Sequence, residues 1–359
     1  MVEFLIFPLK KRIKLEYVQS AELIKFLLIP FVCFWAYGFP DGIGLVELLS
    51  GFAAPAFFVI SGYFTLSGEG AERSERLKRA VIRDAIFFCI LLVFYIAVNI
   101  LNPLSRAEIS LRMLLSKRIW FNFLVLNVWP LPIGDNIWFI QSLLYANIIL
   151  YFADKLHLLK FYKILLAILT IVMLITGELA GVIGLNLFGY GVFPGNFFTR
   201  AIPYLLLGLF LREKYDLLKK FPFWVYLIIF VIGGGLVVGE YYLLYITGKL
   251  VYIGHMFGYA IMAIAVCGLM IAWDEMRINP ISYYGGRCAK IVYAIFNPIY
   301  YIALYFILLK KPEEIGNYAF FGGLIICFVS LIISAILAVI IPVRVRSALD
   351  PDELIDKDT

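Results

Sequence analysis

The chain has 359 residues, of which 63% are hydrophobic and 16% are charged, and its mean hydropathy is +0.93. A soluble domain carries about 25% charged residues and about 45–50% apolar ones. A soluble fold of this size could not cover so much apolar surface, so soluble, disordered and collagen-like classes are excluded. The composition predicts an all-α, polytopic membrane helix bundle whose main partner is the lipid bilayer.

Ten apolar segments approach the roughly 20 residues that a spanning helix needs. They are predicted at 21–38, 44–66, 80–101, 137–153, 162–179, 197–212, 222–238, 251–272, 288–309 and 319–342. Most of the 31 lysines and arginines fall in alternate connections, which predicts that both termini are cytoplasmic and that the membrane is the plasma (inner) membrane. This bias also explains the net charge of +6, so we expect no nucleic-acid partner. The layout predicts a single membrane domain over 1–342 and a short charged cytoplasmic tail over 343–359.

The first predicted span opens with Glu22 and Lys25, which are three residues apart and share one helical face. One interpretation is an interfacial ion pair in which the lysine reaches toward the inner headgroups. The other is that this face lines a cavity that opens to the cytoplasm. The residues alone slightly favour the ion pair.

The second span ends in the sequence Ser-Gly-Tyr, which begins at Ser61. Its glycine permits close approach of another helix, and its serine can hydrogen-bond across helices. A basic cluster follows, with Arg76, Arg79 and Arg83 at the start of the third span. Anchoring at the inner headgroups is the simple interpretation. The alternative is a phosphate clamp, because guanidinium groups grip phosphate oxygens in pairs.

The connection 102–136 contains an apolar stretch at 119–130 that is too short to span a membrane. Trp120 and Trp129 are suited to anchor it as a helix at the membrane interface. A re-entrant turn is the alternative, and the role of the whole connection stays open.

Later spans carry further polar residues. Trp138, Gln141 and Tyr145 lie in the fourth span, Arg200 lies at the outer start of the sixth, and Asn297 lies in the ninth. Polar groups inside lipid must be paired or face a cavity, which makes these five residues candidates for a substrate cavity.

The chain has only two histidines, His157 in a short inner loop and His255 near the outer end of the eighth span. A solvated surface role is the simplest interpretation of His157. For His255, a structural hydrogen bond is favoured over a catalytic role. With no CxxC pair and no cluster of ligands, the sequence predicts no metal site and no bound cofactor.

In order along the chain, these pieces resemble the integral-membrane acyltransferase 3 family, which includes O-antigen and other glycan O-acetylases. The first span is similar to the family's opening, in which an acidic residue is followed three residues on by a basic residue and eleven further by histidine. Ser-Gly-Tyr at the end of the second span and Arg-Leu-Lys-Arg at Arg76 to Arg79 resemble two further family elements. The segments 138–153, 197–211 and 282–300 are similar to the family's fourth, sixth and penultimate spans.

The resemblance implies transfer of an acyl group, often acetyl, from acyl-CoA as donor substrate. The acceptor would be a hydroxyl of a cell-surface glycan or of a polyprenyl-linked glycan precursor. The histidine of the family's first span is its presumed general base, and the arginines would hold the CoA phosphates.

The sequence departs from this pattern at both family histidines. The position eleven residues beyond Lys25 is Ala36, and the ninth-span position that is often histidine is Asn297. Neither residue can act as a base, so the resemblance leaves the catalytic residue unknown, with His255 as an alternative source.

Three hypotheses therefore remain open from the sequence. The leading one is a membrane acyltransferase. The second is a non-catalytic relative that works in export or passage of a polysaccharide or a small polar solute. The third is an assembly subunit, for which the connection 102–136 would be the docking element.

Overall fold

The computed structural model describes residues 9–108, 116–176, 182, 197–250, 256–273 and 280–340. These residues contain no β-strand and confirm the predicted all-α helix bundle. The α-helices are α1 (Leu9–Tyr37), α2 (Leu45–Ser50), α3 (Ala53–Thr65), α4 (Gly70–Leu101), α5 (Pro103–Glu108), α6 (Lys117–Leu126), α7 (Trp138–Lys155), α8 (Tyr162–Thr176), α9 (Ile202–Glu213), α10 (Tyr215–Leu218), α11 (Phe223–Ile246), α12 (Phe257–Ala272), α13 (Pro280–Lys310) and α14 (Ile315–Ile340). Short 3-10 turns lie at Asp135–Ile137, Leu158–Phe161 and Pro312–Glu314, and a π-helical turn lies at Phe197–Ala201.

Eight helical segments of the described chain are long and apolar enough to cross a membrane. They are Gln19–Tyr37, Leu45–Thr65, Gly70–Leu101, Asp135–Lys155, Leu158–Ile175, Phe223–Ile246, Gly285–Lys310 and Pro312–Ala338. The other two predicted spans are helical but shorter: α9 with its preceding π turn, and α12. The chain is therefore a multi-pass membrane protein, while the count of ten crossings and the side of each terminus stay predictions. His255 and the tail 343–359 lie outside the described residues.

The second span is broken into α2 and α3 at Gly51, although the sequence predicted one continuous segment. A Cβ atom at Gly51 would lie 2.5 Å from the hydroxyl oxygen of Tyr259. That hydroxyl donates a hydrogen bond of 2.6 Å to the carbonyl of Leu48, in the last turn of α2. The same carbonyl accepts the backbone N–H of Gly51 at 3.3 Å, so Tyr259 reinforces the end of α2.

A turn at Asp41 connects α1 to α2. The carboxylate of Asp41 accepts hydrogen bonds from the backbone N–H groups of Val46 (2.7 Å), Gly44 (2.8 Å) and Ile43 (3.2 Å). These hydrogen bonds, that from Val46 above all, lower the pKa of Asp41 below its ordinary value. Asp41 therefore fixes the turn in its ionised form.

Glycines set the closest helix contacts. Gly62 of α3 faces the backbone of α9, where a Cβ atom would lie 2.1 Å from the carbonyl oxygen of Leu205. Gly208 of α9 meets the carbonyl of Val59 in the same way, at 2.2 Å. The role predicted for the Ser-Gly-Tyr glycine, close helix approach, is confirmed.

The predicted helix within 119–130 is confirmed as α6, which packs on the bundle. Phe123 is buried, with ring centroids 6.2 Å from Phe88 and 5.3 Å from Trp129. The helix ends at Asn127 in a left-handed conformation, φ 58°. Its depth in the membrane stays a prediction.

Helix ends that the sequence predicts to lie on the inner side of the membrane are joined by ion pairs and hydrogen bonds. Arg73 near the start of α4 pairs with Asp154 near the end of α7 at 2.7 Å, and Lys163 of α8 pairs with Glu213 of α9 at 2.9 Å. Arg212 of α9 also bonds to a tyrosine near the end of α3. The ends that the sequence assigns to the inner side of these five helices therefore lie at one end of the bundle, called the basic end below.

The side of the membrane that the basic end faces can be measured with single cysteines. In intact cells, a membrane-impermeant maleimide should label Lys311→Cys and leave Asp216→Cys unlabelled until the membrane is permeabilised. The unsubstituted chain measures the background from its five natural cysteines. The reverse labelling pattern would place the basic end outside.

The contact between α3 and α9 can be tested with Gly62→Ala. The added methyl group meets the backbone of Leu205, which cannot rotate away, so the two helices must separate. We expect a loss of about 1–3 kcal/mol, seen as a lower thermal unfolding midpoint in detergent. Gly239→Ala is the matched control, because no atom lies within 4 Å of a Cβ there. Equal midpoints for the two variants would contradict this account.

Candidate functional site

Four arginines line the start of α4, and two of them are locked to buried carboxylates. Arg73 Nε lies 2.7 Å from Asp154, and Arg83 Nε lies 3.1 Å from Asp84. The carboxylates are only 6% and 4% exposed, and Asp84 also accepts a hydrogen bond of 2.7 Å from the amide of Asn147. Removing one partner of a buried pair costs about 3–5 kcal/mol, so these two arginines have a structural role.

The other two arginines of the cluster pair with exposed glutamates one turn earlier. Arg76 lies 2.6 Å from Glu72 and also donates to the hydroxyl of Ser67, while Arg79 lies 3.4 Å from Glu75. Exposed pairs of this kind contribute only about 0–1 kcal/mol. Arg76 and Arg79 can therefore exchange their glutamates for another anion at little cost, which Arg83 cannot.

Arg212 of α9 adds a further guanidinium to the basic end. Arg212 donates a hydrogen bond of 2.9 Å to the hydroxyl of Tyr63 and lies 5.0 Å from the centroid of its ring. Ser61, two residues earlier, is half-buried, and its carbonyl accepts a hydrogen bond of 2.9 Å from Thr65.

Glu22 and Lys25 form the predicted ion pair, with 2.5 Å between Oε1 and Nζ and about a quarter of each side chain exposed. The carboxylate is seated on α13, where a Cβ atom at Gly286 would lie 1.3 Å from Glu22 Oε2. In the described part of the chain, neither residue bonds to the arginines of α4. The pair therefore serves the contact between α1 and α13.

A polar cluster deeper in the bundle joins three sequence candidates from α7 to Arg200 of the π turn. The guanidinium of Arg200 lies 4.9 Å from the ring centroid of Trp138, and Tyr145 packs edge-on against Phe197 at 5.4 Å. Gln141, between them on α7, donates to the hydroxyl of Tyr145 at 3.3 Å. The structure thus brings together residues that are about 60 positions apart in the sequence.

Several atoms of this cluster are buried without a hydrogen-bond partner. Arg200 is 2% exposed, and within the described chain its Nε and Nη2 atoms have no partner. The same holds for Oε1 of Gln141 and for the hydroxyl of Tyr204, one turn further along. A desolvated cation–π contact contributes about 2 kcal/mol, which does not replace the missing hydrogen bonds. This cluster is therefore a candidate for a polar pathway or a binding site.

Asn297 is part of a network at the end of the bundle opposite the basic end. Its Nδ2 atom donates to Oδ1 of Asp135 at 2.6 Å, and its Oδ1 atom accepts from the N–H of Gly134 at 3.2 Å. The sequence analysis did not single out Asp135. The only local signal was the Gly-Asp-Asn turn directly before the fourth span.

Ala36 stands where the resembling family has histidine, and its side chain is exposed. It lines an open cavity of about 400 Å³ that lies beside the turn between α1 and α2. Aromatic and acidic residues share this wall, among them Tyr37, Phe39, Asp41, Glu47, Tyr300 and Phe320. Trp35 packs instead into the bundle, 6.4 Å from the ring of Tyr259.

The contrast between buried and exposed pairs predicts the outcome of two substitutions. Asp84→Ala strands Arg83 and Asn147, so we expect a loss of about 3–5 kcal/mol in unfolding free energy. Glu75→Ala removes an exposed partner of Arg79 and should change it by less than about 0.5 kcal/mol. Thermal unfolding of the detergent-solubilised variants measures both. Similar midpoints would contradict the assignment.

Comparison with known proteins extends over most of the chain. The sequence profile of the acyltransferase 3 family, described as an acyltransferase domain, matches residues 18–340. Searches of curated proteins and of solved structures found no match. The matched region includes the basic end, the Arg200 cluster and the Asn297 network. The chain therefore belongs to the acyltransferase 3 family of multi-pass membrane proteins.

Proposed function

We propose that this protein transfers an acyl group of acetyl type from acyl-CoA to a hydroxyl of a cell-surface glycan or its lipid-linked precursor, in the plasma (inner) membrane. The family match over residues 18–340 is the observation that carries the proposal. It implies membrane acyltransferase activity; the donor and the acceptor are argued from the site.

The basic end supports acyl-CoA as the donor. CoA carries several phosphate groups, and guanidinium groups bind phosphate through short, charge-assisted hydrogen bonds. Arg76 and Arg79 lie about one turn apart on α4, and the carboxylate paired with each belongs to an exposed glutamate. The clamp that the sequence offered as an alternative to headgroup anchoring is therefore assigned to these two residues.

The opposite end supports a hydroxyl-bearing acceptor. Tyrosine hydroxyls and carboxylates both hydrogen-bond to sugar hydroxyls, and the cavity beside Ala36 offers Tyr37, Tyr300 and Glu47. Along α1, Ala36 lies eleven residues beyond Lys25, which is about 17 Å at 1.5 Å per residue. Donor and acceptor would then approach from opposite ends of the bundle.

The absence of a base at Ala36 favours a second candidate function, passage of a polysaccharide or a small polar solute. An alanine and an amide cannot take a proton from a hydroxyl, yet the polar interior around Arg200 is kept. Solute accumulation in vesicles, with no acyl transfer, would favour this candidate.

The acyltransferase proposal is tested with purified protein in proteoliposomes that contain acetyl-CoA labelled in the acetyl group. We expect label to appear on lipid-linked or soluble glycan acceptors. If no label moves to any acceptor across a broad series of donors and acceptors, the proposal fails.

The clamp makes a separate prediction about donor binding. Arg76→Ala and Arg79→Ala should each weaken CoA binding about tenfold or more, because each removes hydrogen bonds between charged groups. Calorimetric titration at fixed salt measures this effect. Lys78→Ala, an exposed residue on the same turn, is the matched control for the loss of one positive charge. If Lys78→Ala lowers the affinity for CoA by the same factor, the effect is one of overall charge and the two arginines do not form a specific phosphate clamp.

A further inference from the structure

Asp135 begins the turn that leads into α7, at the end of the bundle opposite the arginines. Gly134 before it has a left-handed conformation, φ 112°, and a Cβ atom there would lie 2.8 Å from the ring of Tyr95. The turn is therefore pressed against α4, which fixes where the carboxylate of Asp135 stands.

Asn297 holds this carboxylate from the other side. Its amide nitrogen donates to Oδ1 of Asp135 at 2.6 Å, while its amide oxygen accepts the N–H of Gly134 at 3.2 Å. One side chain thus grips both the carboxylate and the backbone beside it. The two polar atoms of Asn297 are used, which fixes its amide and the orientation of Asp135.

Asp135 has no cationic partner among the described residues, where no lysine, arginine or histidine forms an ion pair with it. Three tyrosines from three helices lie close enough to interact with it electrostatically: Tyr37 of α1, Tyr95 of α4 and Tyr293 of α13. The N–H of Asn136 also approaches the carboxylate.

The carboxylate is accessible as well as oriented. Asp135 is exposed, whereas Asn297 behind it is 2% exposed. Tyr37, which lines the cavity beside Ala36, is near enough to Asp135 to interact with it electrostatically. The carboxylate is therefore open to a hydroxyl that approaches from this end of the bundle.

We infer that Asp135 is the general base of the reaction and that Asn297 is its positioning residue. This inference rests on the proposed acyl transfer. Asp135 takes the proton of the acceptor hydroxyl while the hydroxyl oxygen bonds to the carbonyl carbon of the acyl thioester. The carbon–sulfur bond then breaks, and the CoA thiolate leaves and takes up the proton, so that an ester and free CoA result.

The location also constrains the donor. Tyr95, beside Asp135, lies 16 residues beyond Arg79 on α4, which is about 24 Å along the helix. A CoA whose phosphates are held at Arg79 must be extended through the bundle for its thioester to reach Asp135.

The inference is tested with Asp135→Asn, which keeps the size of the side chain but cannot take up a proton. We expect kcat for acyl transfer to fall about 100-fold or more while CoA binding is unchanged. Glu313→Gln, an exposed carboxylate in the turn between α13 and α14, is the matched control and should retain full activity. An unchanged unfolding midpoint for Asp135→Asn excludes misfolding. If the unfolding midpoint of Asp135→Asn falls, Asp135→Glu should recover part of kcat. No recovery in Asp135→Glu would count against Asp135 as the general base.

Asn297 is tested by its effect on the same proton transfer. Asn297→Leu should lower kcat and leave KM for the donor unchanged, and Asn297→Gln should recover part of the loss. If Asn297→Leu lowers the unfolding midpoint but leaves kcat unchanged, the positioning role of Asn297 would be overturned.

The outcomes separate this inference from the proposed function. Wild-type transfer with full activity in Asp135→Asn would overturn the base and leave the acyltransferase standing. If kcat falls in Glu47→Gln but not in Asp135→Asn, the general base would be the cavity residue Glu47, and the assignment to Asp135 would be overturned. A wild-type protein that transfers no acyl group to any acceptor would overturn both.

Discussion

A bilayer offers no hydrogen bonds, so each charge and amide within it must find a partner inside the protein, and the architecture depends on this constraint. The buried carboxylate of Asp84 accepts from Arg83 at 3.1 Å and from Asn147 at 2.7 Å, which fixes α4 to α7 near the basic end. At their other end, the side chain of Asn99 exchanges two hydrogen bonds with the backbone of Ile133, at 2.7 and 3.0 Å. Two polar clamps thus set the register of this helix pair, and glycines allow the apolar surfaces between the other helices to close.

Buried polar atoms that lack a hydrogen-bond partner indicate where a ligand could bind. Among the described residues, several buried oxygens also lack a partner, but Arg200 leaves two guanidinium nitrogens unsatisfied, and Oε1 of Gln141 is unsatisfied in the same cluster. Most such groups in folded proteins have a partner, so an orphaned guanidinium indicates polar space or a ligand. The cluster lies on α7 between the arginines at one end and Asp135 at the other, on the path that an extended donor would follow. Exchangeable charge lies at one end of that path and an oriented carboxylate at the other.

The sequence predicted the helices well, because each run of apolar residues can be recognised without knowing what the segment contacts in the fold. The ten predicted spans all coincide with helices where the structure describes them, and the glycine of Ser-Gly-Tyr has the predicted role. The break at Gly51 was not predictable, since it depends on Tyr259, far along the chain. Asp135 was missed for the same reason: its partner Asn297 is 162 residues away. The basic cluster was found, but only the structure separates Arg76 and Arg79 from the two arginines locked to buried carboxylates.

The central claim is that one extended acyl donor connects the two ends of the bundle. A density map of the protein in lipid nanodiscs, with a non-hydrolysable acyl-CoA analogue bound, tests it most directly. The account predicts phosphate density beside Arg76 and Arg79, a chain that passes the Arg200 cluster, and an acyl group within hydrogen-bonding reach of an acceptor hydroxyl at Asp135. Density for the analogue only on the surface, or with its acyl group at the same end as the arginines, would contradict it.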